Sequence, residues 1–180
     1  ALVLQDERGC RYLHRTPRLQ GDVAEFSEDG KTIVGGQVWQ LCDLIEAFAI
    51  PRVVVETNGI GAFAPAVLKA CLKQRRLLCG VKEEPAIVSK NRRILEAYEG
   101  PLSSGMLWAH AEVLDGPFSG QLRDFNPAAI NQPDDYIDAG AGAIADTPER
   151  IRITPNMQAQ EKVGGDWRPN GGTFEVVLEL

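Results

Sequence analysis

The spacing of hydrophobic positions changes character several times along the chain, and each change marks an element. Ala1 to Gln5 and Cys10 to Arg15 read as two short strands, with Asp6-Glu7-Arg8-Gly9 as the turn of a hairpin. Gln20 to Lys31 is polar and carries Glu28-Asp29-Gly30, a turn signal. From about Gly36 to Ala49 the apolar residues Val38, Leu41, Leu44, Ile45 and Phe48 recur at helical spacing. Pro51-Arg52 ends that helix. The β-branched run Val53-Val54-Val55 does not alternate, which predicts a strand covered on both faces that finishes at Glu56. Thr57-Asn58-Gly59-Ile60-Gly61 turns into a helix over roughly Ala62 to Gln74, and Leu77 to Val81 is the next strand.

Ser89 is placed to cap a helix running to Tyr98, with Gly100-Pro101 as its stop. Leu102 to Ala109 reads as extended and Val113 to Phe125 as mostly helical. Asp134 to Ala145 is a last helix of small residues, broken by Thr147-Pro148. Gly140 and Gly142 weaken it by propensity, yet small residues let a helix lie close to a sheet. The tail from Arg152 is polar, and Thr173 to Leu178 is a candidate strand. A hairpin followed by alternating helices and strands predicts an α/β fold, a mixed sheet with helices packed on it.

Composition narrows the chemistry. With 180 residues, 44% hydrophobic and 24% charged, the chain matches one soluble globular domain. Its longest apolar runs are too short to span a bilayer, so no membrane partner is expected. The start at Ala1 has neither a methionine nor a signal-peptide pattern, and reads as a piece cut from a longer protein. Cys10, Cys42, Cys71 and Cys79 lack the close pairing of zinc or redox motifs and read as ordinary thiols. His14 and His110 are the only histidines, and neither lies in a nucleophile motif. Gly30-Lys31-Thr32 matches the end of a phosphate-binding loop, but Glu25 stands where that motif needs its first glycine. The net charge is −6, yet Lys69, Lys73, Arg75, Arg76, Lys82, Lys90, Arg92 and Arg93 crowd one stretch. Such a run suits phosphate contact, or equally a solvated helix face.

Two acidic sites remain. Glu56 ends a strand, where α/β proteins build active sites; the bland alternative is a solvent-facing terminus. In Asp134-Asp135-Tyr136-Ile137-Asp138, residues three and four apart share a helix face and repel unless a cation lies between them. Acids also suit a helix start through its dipole, but Asp138 lies a turn further in. Phosphodiester cleavage by two divalent ions about 4 Å apart needs hard oxygen ligands and no histidine or cysteine.

At these residues the sequence resembles the C-terminal nuclease domain of the large terminase subunit of tailed bacteriophages. The resemblance runs in order through Val53-Val54-Val55-Glu56-Thr57-Asn58-Gly59-Ile60-Gly61, Ser89-Lys90-Asn91-Arg92-Arg93-Ile94, Gly105-Met106-Leu107 and the Asp134 to Ala145 segment. It covers about Ala1 to Ile151. It implies an RNase H-like mixed β-sheet with helices on both faces, over residues 1–152, followed by a tail over 153–180. It further implies a metal-dependent endonuclease of double-stranded DNA in phage DNA packaging. Glu56, Asp135 and Asp138 would be the catalytic ligands of Mg²⁺ or Mn²⁺ in a two-metal site, with Asp134 in reserve, and Lys90, Arg92 and Arg93 would face the DNA.

The partners implied are double-stranded DNA, the packaging ATPase domain of the same subunit, the portal and the small terminase subunit. The place implied is the cytoplasm of the infected bacterium, transiently on the procapsid. The family carries a further aspartate on its first strand, upstream of the stretch that Ala1-Leu2-Val3-Leu4 resembles; that residue is not in this chain, so the first strand is expected to be truncated and cleavage by this fragment weakened. Asp6 is a candidate substitute, though it matches a turn position. Two alternatives stand beside this expectation: a non-catalytic RNase H-like docking module of the packaging motor, and a junction-resolvase-like nuclease.

Overall fold

The computed structural model describes residues 1–57, 63–85, 87–129 and 131–146. The tail and the domain boundary expected after residue 152 lie outside these residues, as does most of the Thr57 to Gly61 turn. Thirteen elements run in the order β1 (Leu2–Gln5), β2 (Arg11–Arg15), β3 (Glu25–Phe26), β4 (Ile33–Gly35), α1 (Gln37–Phe48), β5 (Arg52–Glu56), α2 (Ala64–Arg75), β6 (Gly80–Glu84), α3 (Lys90–Ser103), β7 (Leu107–Ala109), α4 (Ala111–Leu114), α5 (Pro117–Asp124) and α6 (Asp135–Ala145) among the described residues. The α/β class expected from the pattern is what the chain adopts.

Among the described residues the strands form three separately hydrogen-bonded sheets. β1 pairs antiparallel with β2, which pairs parallel with β7; β3 and β4 form a small antiparallel ribbon; β5 and β6 are parallel. Two hydrophobic cores accompany them. In the first, Leu13 of β2 packs with Ile94, Ala97 and Tyr98 of α3, Val113, Phe118, and Ile137, Ala141 and Ile144 of α6. The second joins Ile33, Val38, Cys42 and Ile45 to Leu68, Cys71 and Leu72 of α2, with Val53 and Val55 of β5 against them. His14 meets the Phe48 ring edge-on at 5.2 Å and the His110 ring at 5.3 Å. Burial, then the nearby Arg15 charge, holds the His14 imidazole below its ordinary pKa.

Several elements differ from the pattern-based expectation, each for a local reason. The Gln20 to Lys31 region is not only loop, because Glu25–Phe26 pairs with Ile33–Gly35 across a turn in which Asp29 accepts hydrogen bonds from Ser27 and from the Lys31 amide. Gly30-Lys31-Thr32 is therefore hairpin turn, not phosphate loop. The strand expected at Leu77 starts later, at Gly80. Arg76 takes a left-handed conformation and the Leu77 amide donates back to the Leu72 carbonyl, so Leu77 closes α2.

Helix α3 does not stop at Gly100-Pro101 but continues to Ser103, burying Pro101. The Ser103 hydroxyl donates to the Glu99 carbonyl and the Ser104 hydroxyl to the Gly100 carbonyl, which also accepts from the Ser104 amide. The extended piece shrinks to Leu107–Ala109, and the expected helix from Val113 divides into α4 and α5 at Asp115-Gly116. Val53 to Val55 are only half-buried: Val53 and Val55 meet the second core, while Val54 alternates to the other face.

Close approach of α3 and α6 depends on one glycine. A Cβ at Gly140 would overlap the Tyr98 hydroxyl and lie 3.4 Å from the Phe118 ring. That hydroxyl is buried and donates to the Ile137 carbonyl at 2.9 Å. Helix propensity alone would make Gly140→Ala stabilising by about 1 kcal/mol. Overpacking costs about 1–3 kcal/mol and dominates here. Gly140→Ala should therefore lower stability in urea melts, and should cost clearly less in the Tyr98→Phe background, where the obstructing oxygen is gone. Equal penalties in both backgrounds would show that the contact is not the cause.

Candidate functional site

Parallel pairing sets Glu56 at the end of β5 directly beside Glu84 at the end of β6. The Thr57 amide then donates to the Glu84 carbonyl at 3.2 Å, fixing the strand end. Glu56 is half-exposed, and it is met there by a side chain from α3. Arg93 Nη1 donates to Glu56 Oε2 at 2.9 Å, while its Nε and Nη2 donate to Asp138 Oδ1 at 3.0 and 2.6 Å. One guanidinium thus joins the strand-end acid to an acid on the first turn of α6. Both groups of the Arg93–Asp138 pair are largely buried, with side-chain exposures of 21% and 17%. The planar fork of arginine suits this two-carboxylate contact better than a lysine would.

One turn earlier on α3, Lys90 repeats the arrangement. Its Nζ lies 2.5 Å from Asp134, 3.6 Å from Asp135 and 3.7 Å from Asp138. Lys90 and Arg93 are three apart and Asp134 and Asp138 four apart, so a basic face of α3 meets an acidic face of α6. Burial alone would lower both basic pKa values. For Lys90 the Asp134 hydrogen bond and the Asp138 charge outweigh it, and for Arg93 the Asp138 hydrogen bond and charge do, so both are raised.

The expected site residues therefore divide. Glu56, Asp138, Lys90 and Arg93 come together. Asp135 does not join them closely: its side chain is 93% exposed, with Lys90 Nζ at 3.6 Å. Asp134 is the buried acid of the group. Arg92 points away, exposed and paired with Glu96 at 2.6 Å. Asp6 is committed to its turn, accepting from the Arg8 and Cys10 amides and the Tyr12 hydroxyl. These bonds, led by the Cys10 amide, hold its carboxyl below the usual range against the opposing effect of burial.

The basic stretch does not make an open basic patch. Arg75 lies over the Trp39 ring at 4.8 Å and bonds Asp43 and Glu46, Lys69 pairs with Glu83, and Lys82 pairs with Asp146. The four cysteines are free thiols. Cys42 and Cys71 touch at 3.5 Å, and burial pushes the Cys42 thiol up to about 12.

Asp146 was the acid the sequence reading missed. It follows α6 and pairs with Arg52 at the start of β5 and with Lys82 of β6. Asp138 and Asp146 are eight helical residues apart, about 12 Å of rise. Arg52 and Glu56 are four strand residues apart, about 13 Å. The matched lengths let α6 engage β5 at both ends through ion pairs. The available signal was an acid at a helix C-terminus, where the dipole disfavours it.

Carboxylates of the right hardness for Mg²⁺ or Mn²⁺ are present, and Glu56 and Asp138 already share one cationic partner. Among the described residues no three His, Cys, Asp or Glu side chains form a ready metal-holding group. Mg²⁺ is commonly held by only one or two carboxylates, with water and phosphate completing its shell. In donor chemistry Glu56 and Asp138 fit such an ion, with Asp134 nearby. Among the described residues no helix is long and apolar enough to cross a membrane.

The ion pairs predict a ranking. Asp138→Asn should cost about 2–3 kcal/mol, since it leaves a largely buried arginine with only the half-exposed Glu56 as counter-ion. Asp135→Asn should change stability by less than about 0.5 kcal/mol, as exposed pairs contribute little. Chemical denaturation without divalent ions checks both values; a reversed order would contradict the placement of Arg93. Comparison with known protein families, curated proteins and solved structures finds no match to this chain.

Proposed function

We propose that this chain is an RNase H-like, metal-dependent endonuclease domain of the terminase large-subunit type, acting on double-stranded DNA. The observation that carries this reading is the convergence of Glu56 and Asp138 on one cation, Arg93. They come from a strand end and a helix start far apart in sequence. Hard-oxygen groups gathered at the end of a parallel strand pair are what phosphodiester hydrolysis without histidine requires.

Glu56 and Asp138 would hold Mg²⁺ or Mn²⁺, which supplies an activated water and stabilises the leaving oxygen. Asp134 stands beside them and anchors Lys90. Asp138 orients Arg93 through two hydrogen bonds, and exposed Arg92 on the same helix offers positive charge to a DNA backbone. Contacts of this kind position a duplex without reading its sequence, so cutting would be sequence-tolerant. The terminase reading carries with it the packaging ATPase domain, portal and small subunit as partners, and the cytoplasm of an infected bacterium as the setting.

A second reading is favoured by the same ion pairs. Arg93 and Lys90 already neutralise the carboxylates, so the cluster would also serve a non-catalytic docking module as a structural clasp. Cleavage separates the two. On linear and supercoiled duplex DNA with millimolar Mn²⁺, the nuclease reading expects cutting that EDTA abolishes. Glu56→Gln and Asp138→Asn should each reduce it by more than about 100-fold, since partners outside the metal shell alone are worth about 10–100-fold. Asp135→Asn should leave it near the starting level. Cutting indifferent to Glu56→Gln, or none at any Mn²⁺ concentration, would leave the clasp.

A further inference from the structure

We infer that Arg93 is an internal counter-ion that a divalent metal must displace, so that metal entry is an exchange of cations and not the filling of an open site. This rests on the reading of Glu56 and Asp138 as metal ligands, and adds how their site is regulated. Three observations lead to it. First, Arg93 spends all three of its donor nitrogens on these two acids: Nη1 on Glu56 Oε2 at 2.9 Å, Nε and Nη2 on Asp138 Oδ1 at 3.0 and 2.6 Å. Arg93 holds one oxygen of each acid and Lys90 lies 3.7 Å from Asp138 Oδ2, so an ion bridging the same carboxylates would sit against two positive side chains unless Arg93 gave way.

Second, the acids described beside them have their own cations or face water, Glu84 with Lys82 at 3.5 Å among them. Lys90 sits on Asp134 at 2.5 Å and within 3.7 Å of Asp138, and Asp135 is turned to solvent. Third, the pair is sheltered. Exposures of 21% and 17% leave little water between Arg93 and Asp138, so their attraction is less screened than that of a surface pair. Without a cation between them the acids of α6 and Glu56 would repel. Arg93 removes that repulsion, stabilising the metal-free protein while competing with the metal.

The exchange has a chemical consequence. A divalent ion carries twice the charge of the guanidinium it replaces and forces Arg93 off both acids. The released fork remains on α3 beside Arg92, where a phosphate is its natural replacement partner. The same side chain would thus guard the acids without metal and contact the DNA backbone with metal bound. By linkage, DNA that takes up Arg93 would tighten metal binding by the factor by which metal tightens DNA binding.

The test compares Mn²⁺ binding by calorimetry to the intact chain and to its Arg93→Gln and Arg93→Lys variants, with circular dichroism to confirm folding. The exchange predicts weak binding to the unaltered chain, about tenfold tighter binding to Arg93→Gln and an intermediate value for Arg93→Lys; couplings between ligands typically lie between about 5- and 150-fold. In the unaltered chain, the ¹⁵N Nε–H resonance of Arg93 should shift on Mg²⁺ addition towards that of a solvated arginine. This second readout holds even where Arg93→Gln folds poorly. Equal Mn²⁺ affinity in all three proteins, with an unmoved Arg93 resonance, would overturn the exchange while leaving the metal site standing. No Mn²⁺ binding to any of them would overturn both.

Discussion

Opposite-charge contacts joining α3, α6 and β5 set the arrangement on which the rest depends, and Arg93 makes the central two. Its guanidinium links Asp138 of α6, in the first core, to Glu56 of β5, in the second. At the other end of β5, Arg52 meets Asp146 after α6. A helix and a strand of matching length are held at both ends by charge, while the apolar residues of each pack into separate cores. Breaking a sheltered pair costs more than its net contribution suggests, because the remaining partner loses its counter-ion. That asymmetry makes the charge pairing a constraint on geometry, and not only a stabilising detail.

Packing cooperates with it. Gly140 lets Tyr98 reach the Ile137 carbonyl. The resulting close contact between α3 and α6 brings Lys90 and Arg93 opposite Asp134 and Asp138. A larger residue there would separate the two helices just below the site. The small residue at position 140 is therefore tied to the ion pairs through distance, since it lets the basic face of α3 and the acidic face of α6 come together.

Much of this was legible from residue order. Helix α1 follows from the spacing of Val38, Leu41, Ile45 and Phe48, the first hairpin from Asp6 to Gly9, and β5 from three valines. Glu56 and Asp138 were visible as acids in places where acids need explaining. Less legible was everything that depends on a partner distant in sequence. Nothing local shows that Arg93 would turn inwards while Arg92 turns out, or that Asp138 rather than Asp135 would face Glu56; helix phase decides both, and it is set by burial of Ile94 and Ile137. The run of positive residues misled in the same way, because Lys69, Arg75, Lys82, Lys90 and Arg93 turn to acids on other elements. Pro101 misled for a different reason: its ring is buried within α3, which runs two residues past it to Ser103.

The central claim is that Glu56 and Asp138 form one cation site. Anomalous scattering from crystals of the chain equilibrated with Mn²⁺ tests it most directly. The account predicts a peak bound by both carboxylates, with the Arg93 guanidinium withdrawn from between them. A chain saturated with Mn²⁺ elsewhere, with Arg93 still joined to Glu56 and Asp138, would contradict it.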